Sequence, residues 1–293
     1  AAVLMQIGDI VELEIERMTY GSRGLARIDI LAKPNESGFS ASKVVIFVEG
    51  AVTNDKVKAK ISGKFKNYFE AETVEVLHPS PNRVVPKCPV FGKCGGCHWQ
   101  NLDYSSQVQE KLNILLHSIA RTTKISEARL RQVAHFHPCA DPWNYRSRVQ
   151  VHGDATGIGF FERGSHRIAY TEKCEIASPE IKTKWTSFLE SNRHKELCQD
   201  RRNFKLEWTA DETGKVSEAV NRKHGFFGFT QVNLAQNKQL QQLCFNLLSS
   251  STNTNRSFLL DLYGGDGNLS RSLESIFKYI VSVDVGTKSN LED

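Results

Sequence analysis

No stretch of the 293 residues comes near the roughly 20 consecutive apolar residues that a membrane-crossing helix needs. The opening residues 1–5 are too short and too uncharged for a secretory leader, so a cytoplasmic location is expected, with no membrane partner. Internal repeats and low-complexity tracts are lacking, and a composition of 24% charged and 40% hydrophobic residues shows no bias towards disorder. A strong charge of one sign is lacking too. Lys and Arg number 38 against 33 Asp and Glu, and the net +5 permits nucleic-acid binding without demonstrating it. Seven cysteines are present, and in a cytosolic chain a cluster of them argues for metal binding or catalysis rather than a disulfide framework.

The first 78 residues carry short strand patterns separated by turns. Residues 11–15 alternate with period two, 19–24 read as a turn, and 43–48, 56–61 and 69–76 supply further strands. Their number and shortness point to a small OB-like β-barrel over 1–78. Pro79, Pro81, Pro86 and Pro89 then forbid a helix and mark a boundary. A helical stripe over 105–121 places Val108, Leu112, Leu115, Leu116 and Ile119 on one side. Strand signals return at 145–151, 157–161, 167–170 and 204–208, with a helix near 181–189, so 79–225 reads as a central α+β domain. From 226 onward a helix starting at Asn233, a strand at 257–262, a glycine turn, a helix and a strand at 279–284 open a class I (Rossmann-like) α/β domain.

Cys88, Cys94 and Cys97 lie within ten residues, and Cys174 follows far downstream. Thiolates gathered in one glycine-rich loop suit zinc or an iron–sulfur cluster, and spacing alone leaves both open. Gaps of five and two residues disfavour a radical S-adenosylmethionine motif. Cys139, Cys198 and Cys244 stand alone and read as small core residues.

Asp261 stands near the end of an apolar strand, and Gly265 and Gly267 turn the chain where backbone must approach a ligand. Asp284 closes the next strand, where a carboxylate can accept hydrogen bonds from two ribose hydroxyls. NAD and S-adenosylmethionine both fit; the missing third glycine of the dinucleotide fingerprint favours S-adenosylmethionine. Lys56, Lys58 and Lys60 share one strand face and are candidates for tracking phosphates, against the alternative of an edge strand blunted by charge. Arg146 and Arg148 beside Trp143 and Tyr145 suit phosphate contact with base stacking.

Taken together, these pieces resemble the S-adenosylmethionine-dependent RNA uracil-C5 methyltransferases in their iron–sulfur form. Residues 5–76 resemble the family's TRAM barrel, and the run Cys94-Gly-Gly-Cys97-His-Trp-Gln100 with Cys88 and Cys174 is similar to its [4Fe–4S] ligand set. The stretches 229–233 and 261–268 match its cofactor motifs. The resemblance implies an enzyme binding S-adenosylmethionine through Phe229, Gln231, Asn233, Asp261, Tyr263, Gly265, Gly267 and Asp284, and RNA as substrate, ribosomal rather than transfer. It implies a helix at 105–121 docked on the catalytic domain and a monomer. The family's nucleophilic cysteine and carboxylate base lie well downstream of the cofactor glycines, which places both beyond Asp293. None of the seven cysteines matches that position, so no catalytic residue is assigned, and the 293 residues alone are expected not to methylate RNA.

Overall fold

In the computed structural model, residues 5–31, 41–199, 202–222, 230–250, 256–265 and 267–285 are described. The chain divides into two units, 1–138 with 161–169, and 139–160 with 170–293.

In the first unit, alternation builds a mixed six-stranded sheet. Its strands are β1 (Ile10–Glu14), β2 (Arg17–Thr19), β3 (Arg23–Leu31), β4 (Ala41–Glu49), β5 (Lys56–Lys64) and β6 (Tyr68–His78), in the spatial order β1-β5-β6-β4-β3-β2. On β5 the inward positions Val57, Ala59 and Ile61 are fully buried against Leu13, Ile46 and Val48, which is what a period of two produces when one face is covered. The two margins, β1 and β2, are separated in sequence only by Ile15 and Glu16. Such a link spans about 10 Å at most, so the sheet must curl until its margins adjoin. Accordingly, Ile15 N donates to Asp55 O at 2.9 Å and Glu16 N to Leu25 O at 2.8 Å. No ladder joins β1 to β2 among the described residues, so the expected OB-type closed barrel is met only as a rolled sheet, with β4 and β6 paired in parallel.

Helix α1 (Tyr104–Thr123) begins at Asp103, whose side chain accepts from Ser106 N, and ends at Lys124 in the left-handed region. Of the expected apolar stripe only Leu116 is buried, and Leu115 stays 52% exposed. The helix is seated instead through Ile114, packed with Trp99 on Met18, Val52 and Leu102. A short α2 (Glu127–Val133), capped by Ser126, follows.

The second fold element is a five-stranded sheet in the order β11-β10-β7-β8-β9, comprising β7 (Arg148–Asp154), β8 (Gly157–Phe161), β9 (Ile168–Tyr170), β10 (Phe204–Ala210) and β11 (Val216–Val220). Helix α3 (Pro179–Glu190) lays Ile181, Trp185 and Phe188 on Phe204, Leu206 and Trp208. The Trp185 and Trp208 rings meet edge to face at 5.7 Å. Each buried indole keeps a partner, as burial demands: Trp185 Nε1 donates to Thr171 O and Trp208 Nε1 to Glu218 Oε2. A five-residue α4 (Arg193–Leu197) and then α5 (Leu234–Ser249) follow.

Strands β12 (Phe258–Leu262) and β13 (Tyr279–Val283) pair in parallel, Asp261 opposite Ser282. Both were expected as buried-type strands, yet Phe258, Leu262 and Tyr279 are each more than half exposed, because only these two strands form this sheet among the described residues. The helix expected after the glycine turn is a single 3₁₀ turn, Ser270–Leu273, since β13 begins only six residues later.

Candidate cofactor site and cysteine loop

The glycine turn follows β12 directly. Tyr263, Gly265 and Gly267 all have positive φ, at 60°, 55° and 73°. Tyr263 N donates to Val283 O at 2.7 Å, which holds the start of the turn onto the end of β13. Gly265 N donates to Asp284 Oδ2 at 3.0 Å. The two motif ends that sequence spacing paired at a distance are therefore in hydrogen-bond contact.

Gly264 is held most tightly. A Cβ there would lie 2.0 Å from Ser282 Oγ and 2.6 Å from Asp261 Oδ2, so only glycine lets the backbone pass between them. At Gly265 a Cβ would meet nothing, and only the left-handed φ favours glycine there. Asp261 Oδ2 is buried without a hydrogen-bond partner among the described residues, an acceptor held ready beside the turn. Tyr263 leaves its ring 85% exposed next to it.

Helix α5 clasps the far side of the loop. Asn237 and Asn268 exchange side-chain amide hydrogen bonds at 2.8 Å in both directions, and Gln241 Nε2 donates to Asn268 O at 2.8 Å. These contacts were missed from sequence. Their signal was present all the same: Asn233, Asn237 and Gln241 recur every four residues and so form one polar stripe. Asn233 itself caps α5, accepting from Gln236 N at 3.0 Å and donating to Cys139 Sγ at 3.4 Å. Gln231 is exposed just before it, and Phe229 lies outside the described residues. The expectation that the nucleophile and base follow Asp293 also falls outside them, since the description ends at Val285 and Asp293 is not included.

In the first unit the cysteine loop is folded by its own backbone. Cys94 N donates to Val90 O at 2.9 Å, Gly95 N to Phe161 O at 2.9 Å, and Gly96 N to Cys94 Sγ at 3.4 Å. Cys88 N donates to Gln100 Oε1 at 3.1 Å. Cys174 belongs to the second unit, where it packs against the core around Trp185. Among the described residues no three His, Cys, Asp or Glu side chains are gathered closely enough to hold a metal ion. The thiol donors of the loop are of the type that suits an iron–sulfur cluster.

The expected RNA contacts fare unevenly. Lys58 Nζ lies 3.0 Å from Glu75 and Lys56 Nζ 3.7 Å from Glu12, while Lys60 sits across from Glu72 on β6. The lysine face is thus interleaved with carboxylates from both neighbouring strands, and its net field is small. Hydrogen bonding and charge from Glu75 push the Lys58 ammonium pKa up. Arg148 pairs with Glu207 and its side chain is only 12% exposed, so it holds two strands together rather than facing solvent. Arg146 is half-buried, its Nε donating to Arg148 O at 3.0 Å.

Strand, glycine turn, acid-ended strand and flanking helix are the parts of a class I nucleotide-cofactor site. No family model matches the chain. Over 284 residues, 97% of its length, it is 29% identical to an uncharacterized RNA methyltransferase of Bdellovibrio bacteriovorus, 66% of which is covered. It is 34% identical over 176 residues to the 23S rRNA (uracil(1939)-C(5))-methyltransferase RlmD of Ralstonia nicotianae, covering 58% of this chain and 36% of that one. Among solved structures, the tRNA (uracil-54, C5)-methyltransferase of Pyrococcus abyssi, in complex with S-adenosyl-L-homocysteine, superposes with a TM-score of 0.54 at 15% identity, over 90% of this chain and 81% of that one. The chain therefore spans about two thirds or less of these curated relatives' length. Its resemblance to the RNA uracil-C5 methyltransferases, read first from motifs, is borne out by relatives and by fold.

Proposed function

We propose that the chain is part of an S-adenosylmethionine-dependent methyltransferase acting on C5 of a uridine in RNA, with ribosomal RNA the favoured substrate because two relatives are named for 23S rRNA. The observation that carries the reading is the Gly265–Asp284 contact across β12 and β13, which sets a carboxylate beside a turn passable only to glycine. When bound, S-adenosylmethionine supplies the methyl group. Asp284 is suited to accept from ribose hydroxyls, in exchange for Gly265 N–H, and Gly264 and Gly265 let the backbone approach. Asp261 offers a buried acceptor, and Tyr263 an exposed ring beside it; Gln231 and Gly267 complete the proposed contacts. Asn233 acts through its cap, by fixing where α5 starts. No residue up to Asp293 is assigned as nucleophile or base.

Four thiolates, Cys88, Cys94, Cys97 and Cys174, are proposed to ligate a [4Fe–4S] cluster whose part is to brace the loop; the reading is supported by donor type and by the backbone N–H turned on Cys94 Sγ. The rolled sheet of residues 5–78 is proposed to be a TRAM-type RNA-binding domain. Expression in a host lacking its own uracil-C5 methyltransferases, followed by nucleoside mass spectrometry of total RNA, tests the activity of the protein containing this sequence. New 5-methyluridine is expected, abolished by Asp284→Ala; methylation at another atom or on another base would refute the assignment.

A further inference from the structure

Between the rolled sheet and α1, within the first unit, lies a groove of about 620 Å³ that none of the sequence motifs marks. Arg17, Arg23, Arg27 and Arg121 line it, and no Asp or Glu does so among the described residues. Two of the four are tied at the rim: Arg23 Nη1 donates to Glu70 Oε1 at 2.6 Å while its guanidinium lies 4.9 Å from the Phe47 ring centroid, and Arg27 pairs with Glu16. The other two have no carboxylate partner among the described residues. Arg17 Nη2 lies 3.3 Å from His117 Nε2, and His117 Nδ1 lies 2.8 Å from Glu127 Oε1. An Arg can only donate, so Nε2 accepts and the imidazole proton sits on Nδ1, facing Glu127. That relay aims the Arg17 guanidinium and leaves most of its N–H groups for another acceptor. Arg121 sits in the last turn of α1, exposed. At the groove's lip Tyr20 stands on the β2–β3 turn with 88% of its surface exposed, held out by positive φ at Gly21 and Ser22.

Planar guanidinium forks match phosphate oxygens two at a time, and an exposed phenol ring offers a face to an unpaired base. We propose that this groove, and not the carboxylate-matched lysine face of β5, seats a single-stranded RNA segment, with Arg17 and Arg121 on successive phosphates and Tyr20 stacked on a base. A duplex hides its base faces and would leave Tyr20 unused. The proposal rests on the reading of RNA as substrate.

Fluorescence anisotropy of the 293-residue chain with a labelled 12-nucleotide uridine-containing RNA tests it. The double variant Arg17→Ala/Arg121→Ala is expected to lose at least tenfold in affinity. It is also expected to flatten the log affinity against log salt slope by about 1.4, for two single-strand phosphate contacts at roughly 0.7 each. Tyr20→Ala, on an exposed turn that the fold does not depend on, is expected to lose affinity at least fivefold with the slope unchanged. Undiminished binding by both variants, while Lys58→Ala/Lys60→Ala weakens it, would overturn the groove and leave the RNA reading intact. Absence of any RNA binding by the unaltered chain would sink both. Displacement by poly-glutamate as readily as by unlabelled RNA would assign the groove to an acidic protein segment instead.

Discussion

Arg83 reaches back from the proline-rich segment to grip Asp55, with Nη2 2.7 Å from Oδ2 and Nε 3.1 Å from each carboxylate oxygen. The Asp55 side chain is wholly buried and also accepts from the backbone N–H of Val52 and Ser80. The same guanidinium donates to Gly50 O at 2.6 Å, so one residue fastens the start of the cysteine loop to the rolled sheet. Removing one member of a buried pair costs about 3–5 kcal/mol, because the other charge is left uncompensated. Arg83→Met is therefore expected to lower the unfolding free energy from urea titration by an amount in that range, whereas breaking an exposed pair such as Lys56–Glu12 should lower it by less than about 1 kcal/mol. Equal effects from the two would show that Asp55 is not held in this way.

The two glycines of the cofactor turn should separate steric from conformational demands. Gly264→Ala forces a Cβ into Ser282 and Asp261 and is expected to abolish binding of S-adenosylhomocysteine by calorimetry. Gly265→Ala meets no atom and bears only the left-handed penalty of about 1–2 kcal/mol, so binding weakened roughly tenfold is expected. The reverse ranking would contradict the placement of the turn.

Acid should expose the role of Glu218. Burial alone would raise its carboxyl pKa, but the hydrogen bonds from the Trp208 indole and Arg193, with the charges of Arg193 and Lys184, hold it below the usual carboxylate range. A group depressed on folding contributes stability above its unfolded pKa of about 4.3 and loses it as the pH falls through the folded value. Glu218→Gln is thus expected to be less stable than the unaltered chain at pH 7, with the two curves converging as the pH falls below about 4. Parallel curves down to pH 2.5 would mean that the carboxylate is not coupled to folding.

Iron content tests the cysteine loop independently of activity. Anaerobically purified chain is expected to be brown and to carry about four irons with four sulfides. Ala replacing Cys97 should lower that content and the melting temperature together, while Cys244→Ala, far from the loop in sequence, should alter neither iron nor colour. A full complement of iron in the Cys97 variant would remove it from the ligand set.

Strands at 11–15, 43–48, 56–61 and 69–76 were legible because one buried face leaves a period of two in the sequence; β2 and β3 were not, since Gly24, Leu25 and Ala26 are buried in succession and break the alternation. The curling of that sheet was not legible, since it follows from which strands become neighbours rather than from any one strand. Asp284 and the glycine turn were readable because left-handed backbone leaves a glycine signature. The fate of the lysines was not: Lys58 is matched by Glu75 across a ladder joining residues 17 apart, and only register reveals that neutralisation. Arg17 and Arg121 lie 104 positions apart, and no periodicity links them into one groove.

The step through Ile15 and Glu16 connects the two margins of the rolled sheet, donating to the β5 side through one residue and to β3 through the next. It serves as the seam of the first unit. A single cut of the backbone there would remove the short covalent link between the two margins, which no ladder pairs directly among the described residues. Resistance of that one peptide step to proteolysis is therefore a direct gauge of whether the whole sheet is rolled up.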